Sequence, residues 1–142
     1  MEMKNGLKRT LLIVILTIGF SVIWSAQAFG QITKITVHQL LKSLDNPQVL
    51  VLDVRTSGSW QNSDKKIKGA VRKNPDTFDS WANELPKDKY LALYWNWPNE
   101  ETSARLARQL YNRGHKKLYV IIGGWKEWQR AGYPTEEKSS LL

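Results

Sequence analysis

Three short apolar runs punctuate the chain, and segments with helical spacing separate them. Val49-Leu50-Val51-Leu52-Asp53-Val54, Tyr90 to Tyr94 (YLALY) and Leu118 to Ile122 (LYVII) each read as a strand buried on both faces, the pattern of a parallel sheet. Between the second and third, Ala104, Leu106, Ala107, Leu110 and Tyr111 form one apolar face of a helix over 102–113, with Gly114 closing it as the residue just past the helix end. Thr36 with Gln39 makes a capping box ahead of a short helix through Leu40, Leu41 and Leu44, which Asn46-Pro47 stops. Asp76 is expected to cap a helix carrying Phe78, Trp81, Ala82 and Leu85, ended by Pro86. A loop with a short helix is expected around Gly58 and Trp60, a short strand or bend over Ile67–Val71, and a last helix bearing Trp125 and Trp128 between Gly123-Gly124 and Gly132. Strands alternating with helices predict an α/β layered fold with a mostly parallel central sheet flanked by helices. The polar tail, 136–142, is expected to fray.

The first 28 residues have a different grammar. Lys4, Lys8 and Arg9 precede an almost wholly apolar run from Leu11 to Trp24, and Ser25-Ala26-Gln27-Ala28 follows. A positive start, an apolar stretch and a small-x-small site are the order of a secretory signal, with cleavage after Ala28. The rival reading is an uncleaved N-terminal anchor, because Leu11 to Phe29 approaches the roughly 20 residues that span a bilayer. Either way the domain lies outside the cytoplasm, since positive charge stays inside. The expected location is therefore periplasmic or otherwise extracytoplasmic, with membrane contact only through an uncleaved leader.

Composition narrows the chemistry. The 142 residues fit one domain plus a leader. There is no cysteine, which excludes disulfides, thiolate metal sites and a cysteine nucleophile. His38 and His115 stand far apart, so neither a metal nor another cofactor is expected. The net charge of +8 comes from scattered lysines and arginines that carry no nucleic-acid motif, so nucleic acid is not an expected partner; small anions are.

Ligands of open parallel sheets bind beyond the carboxyl ends of strands. The segment from Tyr94 to Thr102 is such a place, a strand end that passes through a loop into a helix start, where backbone N–H groups and the helix dipole suit an anion. The loop residues are Trp95, Asn96, Trp97, Pro98, Asn99, Glu100, Glu101, Thr102 and Ser103. Thr102 or Ser103 is expected to cap the helix, and the glutamates are ordinary stabilisers of its start.

Residues 33–135 resemble a rhodanese-like domain. The resemblance rests on an ordered set: Ile35-Thr36 with Leu40-Leu41 as the opening helix, Val51-Leu52-Asp53-Val54-Arg55 as the apolar-Asp-Val-Arg strand end, and Trp60 at its aromatic position. Ile67-Lys68-Gly69-Ala70 stands at the Ile-Pro-Gly-Ala step, Leu93-Tyr94 enters the active loop, and Gly123-Gly124-Trp125 through Trp128 to Gly132-Tyr133-Pro134 closes the domain. The resemblance implies a three-layer rhodanese-like fold and a loop cysteine that carries sulfane sulfur. It also implies that Asp53 and Arg55 brace the loops. Counting from the strand places the nucleophile at Trp95; counting back from Ser103 places it at Trp97. The stretch is similar to relatives reading Cys-x-Cys-Pro-Asn-Glu, some with selenocysteine at the second position, and both positions are Trp here. The expected function is an exported, non-catalytic rhodanese-like domain that binds a protein partner or a small sulfur oxyanion. The alternative is a persulfide- or selenium-based sulfurtransferase whose nucleophile is written as Trp95 or Trp97. Lys65-Lys66, where the family has Gly-His, is a further departure.

Overall fold

The computed structural model describes residues 32–96 and 101–138. The leader, the loop residues Trp97, Pro98, Asn99 and Glu100, and 139–142 lie outside the described residues. The strands are β1 (Thr33–Thr36), β2 (Val49–Asp53), β3 (Lys65–Ile67), β4 (Val71–Arg72), β5 (Tyr90–Tyr94), β6 (Leu118–Ile122) and β7 (Thr135–Glu137). The helices are α1 (Val37–Lys42), α2 (Ser57–Gln61), α3 (Phe78–Trp81), α4 (Glu101–Asn112) and α5 (Gly124–Arg130). Five strands form one all-parallel sheet in the order β1-β6-β5-β2-β4, and β3 pairs antiparallel with β7 in a separate ribbon.

The sheet splits the core in two because successive side chains of a strand point to opposite faces. Leu52, Leu91, Leu93 and Val120 meet Leu106, Ala107 and Leu110 of α4 on one face. Val51, Ala92 and Ile121 meet Val37 and Leu40 of α1 with Trp125 and Trp128 of α5 on the other. Helices on both faces of a parallel sheet are the layered α/β fold that the alternation predicts. Thr36 caps α1 with both bonds of the capping box, its Oγ accepting from Gln39 N and Gln39 Oε1 accepting from Thr36 N.

Three local expectations change. Ile35-Thr36, read as part of the opening helix, belongs to strand β1, and the helix begins after its Thr36 cap. Asp76 does not cap a helix; the Asn74 side chain accepts from Asp76 N and opens a 3-10 turn over Pro75–Thr77, because an Asn two residues upstream offers the nearer oxygen. The bend expected over Ile67–Val71 is present as a turn between two strands, with Gly69 at φ 75° and Ala70 N donating to Ile67 O. The tail is not frayed through Lys138, because β7 pairs with β3 in the register Lys65–Glu137, Lys66–Glu136 and Ile67–Thr135. Among the described residues no helix is long and apolar enough to cross a membrane.

Candidate functional site at the carboxyl end of the sheet

β2 and β5 end side by side, with Asp53 opposite Tyr94, and the chain there turns from core into site. Asp53 and Arg55 are both fully buried. Arg55 Nε donates to Asp53 Oδ1 at 2.9 Å and Oδ2 at 3.0 Å, and its Nη2 donates to Oδ2 at 2.6 Å. The Arg55 main-chain N–H donates to Oδ1 at 3.1 Å, folding the strand end over its own carboxylate. Tyr94 adds its hydroxyl to Asp53 Oδ2 and accepts from Ile67 N at 3.3 Å. Burial, with the Asp53 charge beside it, pushes the Tyr94 phenol well above its ordinary value, so the group stays a donor.

Aromatic rings stand in for water around the guanidinium. Arg55 Cζ lies 4.6 Å from the Trp125 ring centre, 5.2 Å from Trp60 and 5.8 Å from Tyr94, all within cation–π range. Arg55 Nη2 also donates to Lys65 O at 3.1 Å, so β3 joins the same cluster. Arg72 reaches in from β4, donating to Asp53 O at 3.1 Å and resting 5.1 Å from the Trp60 ring. Burial pushes the Arg72 guanidinium below its ordinary value, against the pull of Asp53.

The loop begins where this cluster ends. Trp95 and Asn96 are half-buried, and Trp95 O accepts from Trp125 N at 2.7 Å, which pins the loop to the first turn of α5. Gly123 makes that turn possible. Its φ is 82°, and a Cβ there would stand 2.6 Å from Glu127 Cβ. On the far side of the loop, α4 already includes Glu101, Thr102 and Ser103. Thr102 and Ser103 are therefore first-turn residues rather than caps; Ser103 is buried and Glu101 exposed.

Beside Asn96 opens a pocket of about 510 Å³ between α2, β3 and α5. Its walls carry Ser59, Ser63, Lys65, Asn96, Trp125, Lys126 and Gln129, with Asp64 as their one acid among the described residues. The structure thus brings Asp53, Arg55, Trp95 and Asn96 to one end of the sheet. Sequence reasoning missed Tyr94, Trp60, Trp125 and Arg72 as members of this site. The available signal for Tyr94 was a polar tip closing an otherwise apolar strand. Lys65 and Lys66 have structural work as well: Lys66 pairs with Glu136 and donates to Ala70 O at 2.6 Å, fastening β7 to the ribbon.

Residues 36–131 match the family described as the rhodanese-like domain, which covers most of the chain. The chain belongs to the rhodanese-like family. It is 27% identical to a thiosulfate sulfurtransferase GlpE of Tolumonas auensis over 105 residues, covering 74% of this chain and 94% of that protein. A thiosulfate sulfurtransferase GlpE of Coxiella burnetii is 25% identical over 109 residues, covering 77% of this chain and 94% of the relative. Among solved structures, the rhodanese-like domain of an Anabaena protein superposes with a TM-score of 0.64 at 24% identity, covering 79% of this chain and 85% of that one. A rhodanese-related protein of Thermoplasma volcanium gives 0.63 at 22%, covering 75% and 99%. Unlike a domain that carries sulfur on a cysteine, this rhodanese-like chain has none.

Proposed function

We propose that this domain works outside the cytoplasm as a rhodanese-like binding module that holds a small sulfur oxyanion without transferring sulfur. A persulfide needs a thiolate to form, and the sequence supplies none. The observation that carries binding is the 510 Å³ pocket, whose walls are lined by Lys65 and Lys126 together with hydroxyl- and amide-bearing residues, with the Lys65 ammonium also 3.7 Å from Glu137. That donor set suits a tetrahedral anion, and the pocket is too polar for an apolar ligand. Calorimetric titration with thiosulfate and with sulfite tests it. Saturable binding that Lys126→Glu abolishes is the expected result, together with no thiosulfate-to-cyanide turnover above a heat-killed control. Absence of heat with both anions, or real turnover, would sink the reading.

One observation favours a second reading, an active sulfur- or selenium-based enzyme. The bracing cluster of Asp53, Arg55 and Tyr94 is complete, and Pro98-Asn99-Glu100 still follows Trp97, although the nucleophile is gone. A UGA codon at 97, written as Trp by a translation table that reads it so, would account for both. Sequencing the gene decides: UGG at 95 and 97 leaves the binding module, whereas UGA with a selenocysteine insertion hairpin restores the enzyme.

A further inference from the structure

The opposite end of the sheet has a chemistry of its own. All five strands run parallel, so the starts of β1, β5 and β6 gather at one end, roughly 16 Å from the loop end for five-residue strands. The segments leading into β5 and β6 carry Lys87, Lys89, Arg113, Lys116 and Lys117 there, with Asp88 among them and Glu84 three residues ahead of Lys87. Arg113 is paired with Asp79. The lysine ammonium groups there have no such carboxylate partner among the described residues. Lys87 donates to Arg113 O at 2.7 Å, Lys116 to Tyr111 O at 3.4 Å and Lys117 to Asp88 O at 2.9 Å, all main-chain carbonyls.

Closing the carbonyl end of α4 explains Lys87 and Lys116 in part. It does not explain Lys89 or Lys117, nor the aromatic groups interleaved with them. Tyr90 is 36% exposed and stacks on Tyr119 at 5.3 Å between ring centres, with Lys117 Nζ 5.1 Å from the Tyr90 ring. Lys116 Nζ stands 3.6 Å from the Tyr111 ring. Lysines alternating with half-wet tyrosines are the composition of a surface that meets lipid headgroups.

The chain enters the domain at this same end. Thr33 begins β1 and lies opposite Tyr119, so the described chain starts at this end of the sheet, and the apolar run from Leu11 to Phe29 precedes it in the sequence. We propose that this end of the domain rests on an anionic membrane surface, with the leader kept as its tether and the loop end turned away from the bilayer. The placement favours the anchor over cleavage after Ala28.

The test uses the full chain reconstituted into phosphatidylcholine vesicles, with or without phosphatidylglycerol. Lysine acylation by a water-soluble ester is then mapped by peptide mass spectrometry. On anionic vesicles Lys87, Lys89, Lys116 and Lys117 should react several-fold more slowly, and high salt should remove the protection. Lys65 and Lys126, at the loop end, should react alike on both vesicles. The Lys116→Glu/Lys117→Glu variant changes two exposed side chains, and protection at Lys87 and Lys89 should fall with it. Equal rates on neutral and anionic vesicles would overturn the proposal and turn the patch toward an acidic protein instead. Recovery of the native protein only as a soluble species beginning at Phe29 would overturn it as well.

Discussion

Arg55 is fully buried, and three side-chain bonds to one carboxylate make that tenable. Its Nη1 has no hydrogen-bond partner among the described residues, so the faces of Trp125 and Trp60 carry part of the load. Taking away one member of a fully buried ion pair leaves the other uncompensated, at a cost of about 3–5 kcal/mol. Asp53→Asn should lower the urea unfolding free energy by that order. Tyr94→Phe, which leaves both Asp53 Oδ2 and Ile67 N short of a partner, should cost about 1–3 kcal/mol. A Tyr94→Phe protein as stable as the parent would show that the hydroxyl is not part of the brace. His115 offers a second residue-scale test. It is 1% exposed, its Nδ1 has no partner among the described residues, and burial pushes its pKa down from the ordinary value. The folded protein therefore holds the neutral ring while the unfolded chain takes up a proton near pH 6.5. The stability contributed is complete above that pH and is lost as pH falls through it toward the lower folded value, by at most about 1.4 kcal/mol per pH unit. Urea midpoints of the parent and His115→Gln, compared over this window, should converge as pH falls.

Whether an element could be read from the sequence followed from how much apolar surface it buries. β2, β5 and β6 are central strands with Leu, Val and Ala on both faces, so their runs of apolar residues announce them. α4 is legible for the same reason, its apolar face repeating at helical spacing above the sheet. β1 (TKIT) is mostly exposed and β7 (TEE) mostly half-buried, and neither has an apolar run. Their order comes from the ladders of β6 and β3, helped in β7 by the Lys66–Glu136 pair rather than by apolar side chains, and no periodicity betrays that. The site divides along the same line. Asp53 and Arg55 interrupt an apolar run and stand out, whereas Trp60 and Trp125 become site residues only when α2 and α5 fold back on the Arg55 guanidinium. β7 therefore has more consequence than its length suggests. Lys138 extends it, donating from its main chain to Asp64 O at 3.0 Å and from its ammonium to Trp60 O, with Nζ 4.6 Å from the Trp60 ring. Ending the chain after Pro134 removes the ribbon and the Lys66–Glu136 pair. The shortened protein should still show cooperative unfolding, at lower denaturant, because its five-stranded sheet is untouched. The amides of α2 and β3 should exchange hydrogen several-fold faster than those of β5. Equal protection in both proteins would mean that β7 is a passenger.

At the scale of the whole molecule, one parallel sheet separates the two ends for which different ligands are proposed, and the net charge of +8 is a poor guide to either. Lys65 and Lys126 face the pocket at the carboxyl ends of the strands, and Lys116 and Lys117 stand before the start of β6. About 16 Å of strand lies between them, and the screening length at physiological salt is about 8 Å. A charge at one end is therefore largely invisible at the other. Lys116→Glu/Lys117→Glu should leave the thiosulfate dissociation constant within about twofold of the parent at physiological salt. Lys126→Glu should abolish binding while leaving vesicle protection at Lys87 and Lys89 in place. Lowering the salt enlarges the screening length, so the first variant should begin to weaken thiosulfate binding only there. If instead it weakened binding at physiological salt as strongly as Lys126→Glu, the anion would be held by the overall positive field rather than by the pocket, and the two ends could not be treated as separate sites.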